Sequence, residues 1–246
     1  MVRKLQHGNL RILYMAITLT PKNSRFTKNL YWMGLPHTNL ATDIFLFGKD
    51  ARSSTKNLAP YGKGDAEQVG SVDYGNNYAK VGMNNFILAS DAILTKPFTI
   101  LAAIQPTAQT GLQFALGTYD GQSKGVLVYA SSGTINAGGE LVSSTNNINL
   151  PATFAADKFT MLGIAYNGEK FKLFTFNNGS LITAEATSAA IPTPGKLRFG
   201  SPIGYAYADF NIAFGAGYNA ALTDEQLKDT YEHLKKLMTN RGITLA

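Results

Sequence analysis

At 246 residues with 45% apolar side chains, the chain is long enough for one large domain with a buried core. Its low charged fraction of 15% and its 24 glycines favour short strands joined by turns. It contains no cysteine, which excludes disulfides, thiolate metal sites and cysteine nucleophiles. The net charge of +6 sits at the front: Arg3, Lys4, Arg11, Lys22, Arg25 and Lys28 precede the first acidic residue, Asp43, leaving 16 basic against 16 acidic side chains. A neutral body lacks the electrostatic footprint of a whole-domain nucleic-acid binder.

In chain order, residues 1–30 read as a cationic arm able to dock on an acidic partner, or as a solvated terminus. Segment 10–19 (LRILYMAITL) is apolar and follows Arg3 and Lys4, but no small-x-small cleavage site follows it, against a secretory signal. Met15 opens a stretch that reads like a natural start, so 1–14 is expected to be an upstream extension. No stretch reaches the roughly 18 apolar residues of a membrane span. Trp32 in YWMGLP could anchor the arm to the body or insert into a partner, burial being the simpler expectation.

The body, 31–246, opens irregularly. Segment 43–48 (DIFLFG) reads as a strand, 49–80 as loop with short pairing segments, and 77–82 and 85–90 as short strands. The run 98–105 (FTILAAIQ) has the length and apolar continuity of a strand buried on both faces. Strands follow at 112–118 and 125–130, with 131–149 read as loop or a weakly paired edge. Strands at 159–166 and 170–177 flank Asn167-Gly168-Glu169, a hairpin signal because Asn and Gly tolerate positive φ, and Asn178-Gly179 closes the next turn. Strands at 196–200 and 206–217 come next; in the latter, strict alternation puts Phe210, Ile212 and Phe214 on one face and Asp209, Asn211 and Ala213 on the other. The period then changes. Thr223 and Gln226 form a capping box, Leu222 and Leu227 a staple, and Leu227, Tyr231, Leu234 and Met238 one apolar stripe. A terminal helix is expected over 223–240, packed on the sandwich edge.

This order of elements resembles the laminin-G-like, concanavalin A-like domains. Segments 97–107, 159–180, 196–201 and 208–227 look like the family's inner strand, its Asn-Gly hairpin and its closing strand running into a helix. The resemblance covers about residues 40–245 and implies an all-β, two-sheet antiparallel jelly-roll sandwich with one C-terminal amphipathic helix. Cysteine-free versions with this helix look most like domains of bacteriophage and bacterial surface proteins. That implies a virion or cell-surface location, or the cytoplasm of an infected cell, with structural proteins of an assembly as partners and an oligomeric or assembly-bound state. Relatives often bind Ca²⁺ through loop carboxylates, which makes Asp73, Asp120 and Glu140 the candidate ligands here. Asp209 resembles the family's acidic residue at the closing strand, with a structural role there.

Catalytic signatures are missing. The glutamates Glu67, Glu140, Glu169, Glu185, Glu225 and Glu232 show no Glu-x-Asp-x-Glu spacing of the kind that puts two carboxylates on one strand face, against a glycoside hydrolase. Asp65 and Glu67 are the nearest pair, in a glycine-rich loop. His7, His37 and His233 are far apart in sequence and make no metal spacing. No nucleophile elbow or phosphate-binding loop occurs. Sugar binding in sandwiches uses aromatic platforms with polar rims, and Tyr61, Tyr74, Tyr119, Tyr129, Tyr205 and Tyr207 lie in or beside loops. For each the alternative is a tyrosine packed over a loop with its hydroxyl in water. The glycan-binding candidates are Tyr119, Asp120, Tyr129 and Tyr74, with Tyr119-Asp120 foremost. The expected function is non-enzymatic: a virion structural or decoration module held by its basic arm and touching host-surface glycans, or else a lectin-like receptor-binding module.

Overall fold

The computed structural model describes residues 35–90, 97–108, 111–120, 124–152, 154–155, 157–201 and 207–246. Two antiparallel sheets face each other. The first runs β13 (Ser180–Thr187), β12 (Lys170–Asn177), β11 (Thr160–Tyr166), β6 (Phe98–Pro106), β15 (Phe210–Tyr218), β4 (Ala79–Val81) and β3 (Asp73–Tyr74), and β1 (Ala41–Leu46) also pairs with β15. The second runs β10 (Asn149–Pro151), β9 (Thr134–Gly139), β8 (Val126–Ser131), β7 (Leu112–Gly117), β14 (Arg198–Phe199), β5 (Phe86–Leu88) and β2 (Glu67–Val69). This is the two-sheet jelly-roll sandwich. A single turn of helix, α1 (Ala51–Ser54), follows β1, and α2 (Asp224–Asn240) closes the chain.

The continuous apolar run of β6 has a simple cause. Ile100, Ala102 and Ile104 point into the core between the sheets, while Leu101 and Ala103 point to the other side, where α2 lies. Strand β12 divides the same way: Phe171 and Leu173 enter the inter-sheet core, and Phe174 and Phe176 face the helix. Helix α2 therefore covers the outer face of the first sheet rather than the sandwich edge, because that face is apolar and needs a cover. Its capping box forms as expected, with Gln226 N donating to Thr223 Oγ1 (3.2 Å) and Thr223 N to Gln226 Oε1 (2.9 Å). Leu227, Tyr231, Leu234 and Met238 are all buried, and the Tyr231 ring stacks on Phe176 at 4.1 Å.

Strict alternation fails in β15. Pairing to β6 skips Ala213: Ile212 lies opposite Ile104 and Phe214 opposite Ala103. This β-bulge leaves Phe210 and Ile212 in the inter-sheet core but turns Phe214, Ala216 and Tyr218 toward the helix. Gly215 then faces the core, where an added Cβ would sit 2.2 Å from the Phe199 ring. The bulge carbonyl is used twice, accepting from Phe47 N (3.1 Å) and from Arg241 Nη1 (3.3 Å). Arg241, just past α2, also donates to the Phe47 carbonyl at 2.5 Å, and so pins the helix end to the bulge.

Two strands were hidden from the sequence pattern. Segment 131–149, expected as loop or a weakly paired edge, contains β9, which follows a turn at Ser132 (φ 48°) and Gly133 (φ 80°) and pairs on both sides, with β8 and β10. Strand β13 follows the Asn178-Gly179 turn (φ 48° and 81°), the two-residue geometry that matches strand twist. At the Asn167-Gly168 turn only Gly168 takes positive φ; Asn167 acts through its side chain, Oδ1 accepting from Glu169 N (2.9 Å) and Lys170 N (2.8 Å).

Candidate functional site

The first sheet is covered by α2, so its outer face is spent. Among the described residues, the outer face of the second sheet carries a small apolar cluster of Ala115, Leu127 and Tyr207, with Tyr119 and Tyr129 packed against it. Strand register explains the grouping: Ala115 lies opposite Tyr129, and Leu127 opposite Gly138. Tyr207 meets Tyr129 edge-on at 6.0 Å. Beneath these rings the floor is glycine. A Cβ on Gly138 would come 3.4 Å from Tyr129, and one on Gly139 3.2 Å from Tyr119 and 2.2 Å from the Gly125 carbonyl.

Beside Tyr119 opens a cleft of about 240 Å³, lined among others by Asp120, Lys124, Thr193, Lys196 and Arg198. One wall is the β7–β8 connection, where Asp120 N donates to the Lys124 carbonyl and Lys124 N to Asp120 Oδ1, both 3.1 Å. The other wall is the segment leading into β14. Glu140 joins the two, accepting from Gly125 N (2.7 Å), Thr193 N (2.5 Å) and the Thr193 hydroxyl (2.8 Å). Burial pushes the Glu140 carboxyl up, but these donors from Gly125 and Thr193, with the Lys124 charge, outweigh it and hold the group below its ordinary value. The floor holds Arg198, opposite Leu88 on one side and Gly117 on the other. Its residue exposure is 8%, its guanidinium lies 3.5 Å over the Phe86 ring, and Nη2 donates to the Met83 carbonyl at 3.0 Å. Burial lowers it to about 10, so it stays charged at neutral pH.

Of the residues singled out from sequence, the fold brings Tyr119, Asp120 and Tyr129 to this face, with Glu140 bracing the cleft. Tyr74 does not join them. It lies in β3 of the other sheet, packed against the inter-sheet core with its hydroxyl donating to Gln68 Oε1 at 2.7 Å. Tyr61 is 71% exposed and apart from the cleft. The calcium set is not assembled either: Asp73 sits with Tyr74 in β3, Glu140 is engaged by three donors, and among the described residues no three His, Asp or Glu side chains gather to hold a metal ion. His37 and His233, distant in sequence, both reach Asp229, His37 Nε2 at 3.2 Å from Oδ2 and His233 Nδ1 at 3.2 Å from Oδ1. Arg3, Lys4, Arg11, Lys22, Arg25, Lys28, Trp32 and Tyr205 lie outside the described residues. Arg198 and Lys196 were missed; the signal was two cations at period 2 entering an otherwise apolar strand.

No protein-family model matches the chain, and no curated protein matches it in sequence. Solved structures do match its fold. The ligand-binding domain of botulinum neurotoxin serotype D in complex with N-acetylneuraminic acid aligns with TM-score 0.56 at 15% identity, covering 79% of this chain and 51% of that one. The Ca²⁺-bound exoplasmic/lumenal domain of VIP36 aligns with TM-score 0.51 at 12% identity, covering 76% of this chain and 94% of that one. A Trypanosoma rangeli sialidase in complex with sialic acid aligns with TM-score 0.58 at 12% identity, covering 83% and 34%. The chain thus spans about half the length of the neurotoxin domains it matches. At these identities the shared property is the β-sandwich itself.

Proposed function

We propose that this chain is a non-enzymatic carbohydrate-recognition module that holds its ligand in the cleft beside Tyr119 on the outer face of the second sheet. The observation that carries this reading is an aromatic group laid on a glycine floor, with a polar cleft of about 240 Å³ at its edge. Sugar sites combine an aromatic surface with a few placed polar groups, and this volume, below the roughly 300–1,000 Å³ of drug-sized pockets, suits one terminal sugar ring. Two of the fold neighbours are complexes with N-acetylneuraminic or sialic acid, which supports the choice of ligand class. The test is binding of the full chain to an immobilised glycan panel. Saturable binding that weakens at least tenfold in Tyr119→Ala, with the melting temperature kept, supports the reading; binding indifferent to that change moves the site elsewhere.

The charge asymmetry of residues 1–30 favours a second, compatible reading, in which the module rides on a larger assembly such as a virion or a bacterial surface. The fold neighbours lend that location no support. Deleting residues 1–30 would then release the module from its assembly and leave glycan binding intact.

A further inference from the structure

Among the described residues, Arg198 is a buried cation without a counter-charge. Its residue is more than nine-tenths buried, at 8% exposure. One nitrogen is held by the Met83 carbonyl and one face of the guanidinium is covered by Phe86, but Nε has no acceptor. Among the described residues no carboxylate forms an ion pair with it. The nearby acids are otherwise engaged: Glu140 accepts from Gly125 and Thr193, and Asp120 accepts from Lys124 N. Buried charges in proteins are as a rule paired, and arginine does not escape by losing its proton near neutral pH. An uncompensated one in the wall of an open cleft is therefore an observation that asks for an anion.

The surroundings agree. Lys124 and Lys196 line the same cleft and are exposed, so among the described residues three cations there face one lining carboxylate, Asp120, with Glu140 behind the wall. Gly117, directly opposite Arg198 in the register, adds no side chain to crowd the approach. We infer that the cleft selects acidic saccharides, the planar Arg198 guanidinium receiving a carboxylate or sulfate of the sugar while Lys124 and Lys196 draw it in. A fork of N–H donors matches a two-oxygen acceptor better than an ammonium does, which assigns Arg198 the specific contact and the lysines the longer-range attraction. Tyr119 then takes the apolar face of the ring.

This deepens the glycan-recognition reading and rests on it, and the test separates the two. The full chain is titrated calorimetrically with sialyllactose, glucuronic acid and galactose 6-sulfate, with lactose, glucose and galactose as neutral counterparts, and with sodium sulfate alone. The expected result is at least tenfold preference for the acidic member of each pair, weakening as sodium chloride rises, and erased in Arg198→Gln. Lys196→Gln, at an exposed site, should reduce the preference several-fold without touching the melting temperature, which keeps the test valid should Arg198→Gln fail to fold. Equal binding of acidic and neutral sugars, or a preference unchanged in Lys196→Gln and in Arg198→Lys, overturns the inference and leaves glycan recognition standing. Sulfate binding with no sugar bound upholds the anion site and overturns the glycan reading. No binding of any probe overturns both.

Discussion

Gly139 lets Tyr119 lie against β9, since a Cβ there would come within 3.2 Å of its ring, whereas one on Gly138 would only touch Tyr129 at 3.4 Å. Gly139 is doubly constrained, with φ 78° and a carbonyl 2.2 Å from where its Cβ would be. The adjacent Glu140 converts that tight backbone into a brace across the cleft. Because its folded-state carboxyl is held below the ordinary value of 4.5, its contribution to stability is present above that value and is lost as pH falls through the lower, folded one. Glu140→Gln is therefore expected to melt a few degrees below the parent at pH 7, with the two melting curves converging on acidification below pH 4.5. A gap that persisted unchanged into strong acid would assign the effect to packing instead of charge. The carboxyl is partly exposed, so solvent screening keeps the effect modest.

Among the elements, β15 decides the most. Its bulge at Ala213 lets one strand supply Phe210 and Ile212 to the inter-sheet core and Phe214 and Tyr218 to the helix side. Side-chain period in a strand is two, so a one-residue change of register moves every later residue to the opposite face. Deleting Ala213 would drive Phe214, Ala216 and Tyr218 into a space occupied by Phe45 and Phe199, and place glycines against α2. The expected outcome is a chain with no cooperative melting transition. A deletion variant that melted cooperatively near the parent temperature would show the bulge to be dispensable. Arg241 makes the bulge matter to α2 as well, since its guanidinium takes the Ala213 and Phe47 carbonyls together.

At the scale of the molecule, the first sheet is shared between two cores, one under the second sheet and one under α2. The sandwich and the helix should therefore unfold together. Tyr231 stacks on Phe176 and its hydroxyl donates to the Ala246 carbonyl at 2.7 Å. Tyr231→Ala should cost about 3–5 kcal/mol, as for other buried aromatic truncations, and should lower the transition seen by far-ultraviolet and near-ultraviolet circular dichroism equally. A helix that melted alone, leaving the sandwich transition in place, would contradict a shared core. Among the described residues, this division of labour also leaves the outer face of the second sheet uncovered by a helix, with Tyr119, Tyr129 and Arg198 on that side.

Local pattern alone determined the all-β architecture, most strand positions, the capped terminal helix and its buried stripe, because periodicity, turn chemistry and caps act between residues a few positions apart. It also marked Tyr119 and Asp120, which share a loop. Only the tertiary structure decided which tyrosines share a face, setting Tyr129 and Tyr207 beside Tyr119 and taking Tyr74 to the other sheet. Only the fold put His37 and His233 on one carboxylate and kept Asp73 away from Glu140. The bulge was equally hidden, since FNIAFGAGY reads as plain alternation until a partner strand sets its register. Arg198 makes the same point most sharply. A cation in an apolar strand is visible in the sequence, but that it is buried, covered by Phe86 and, among the described residues, left without a carboxylate depends on which strands become neighbours.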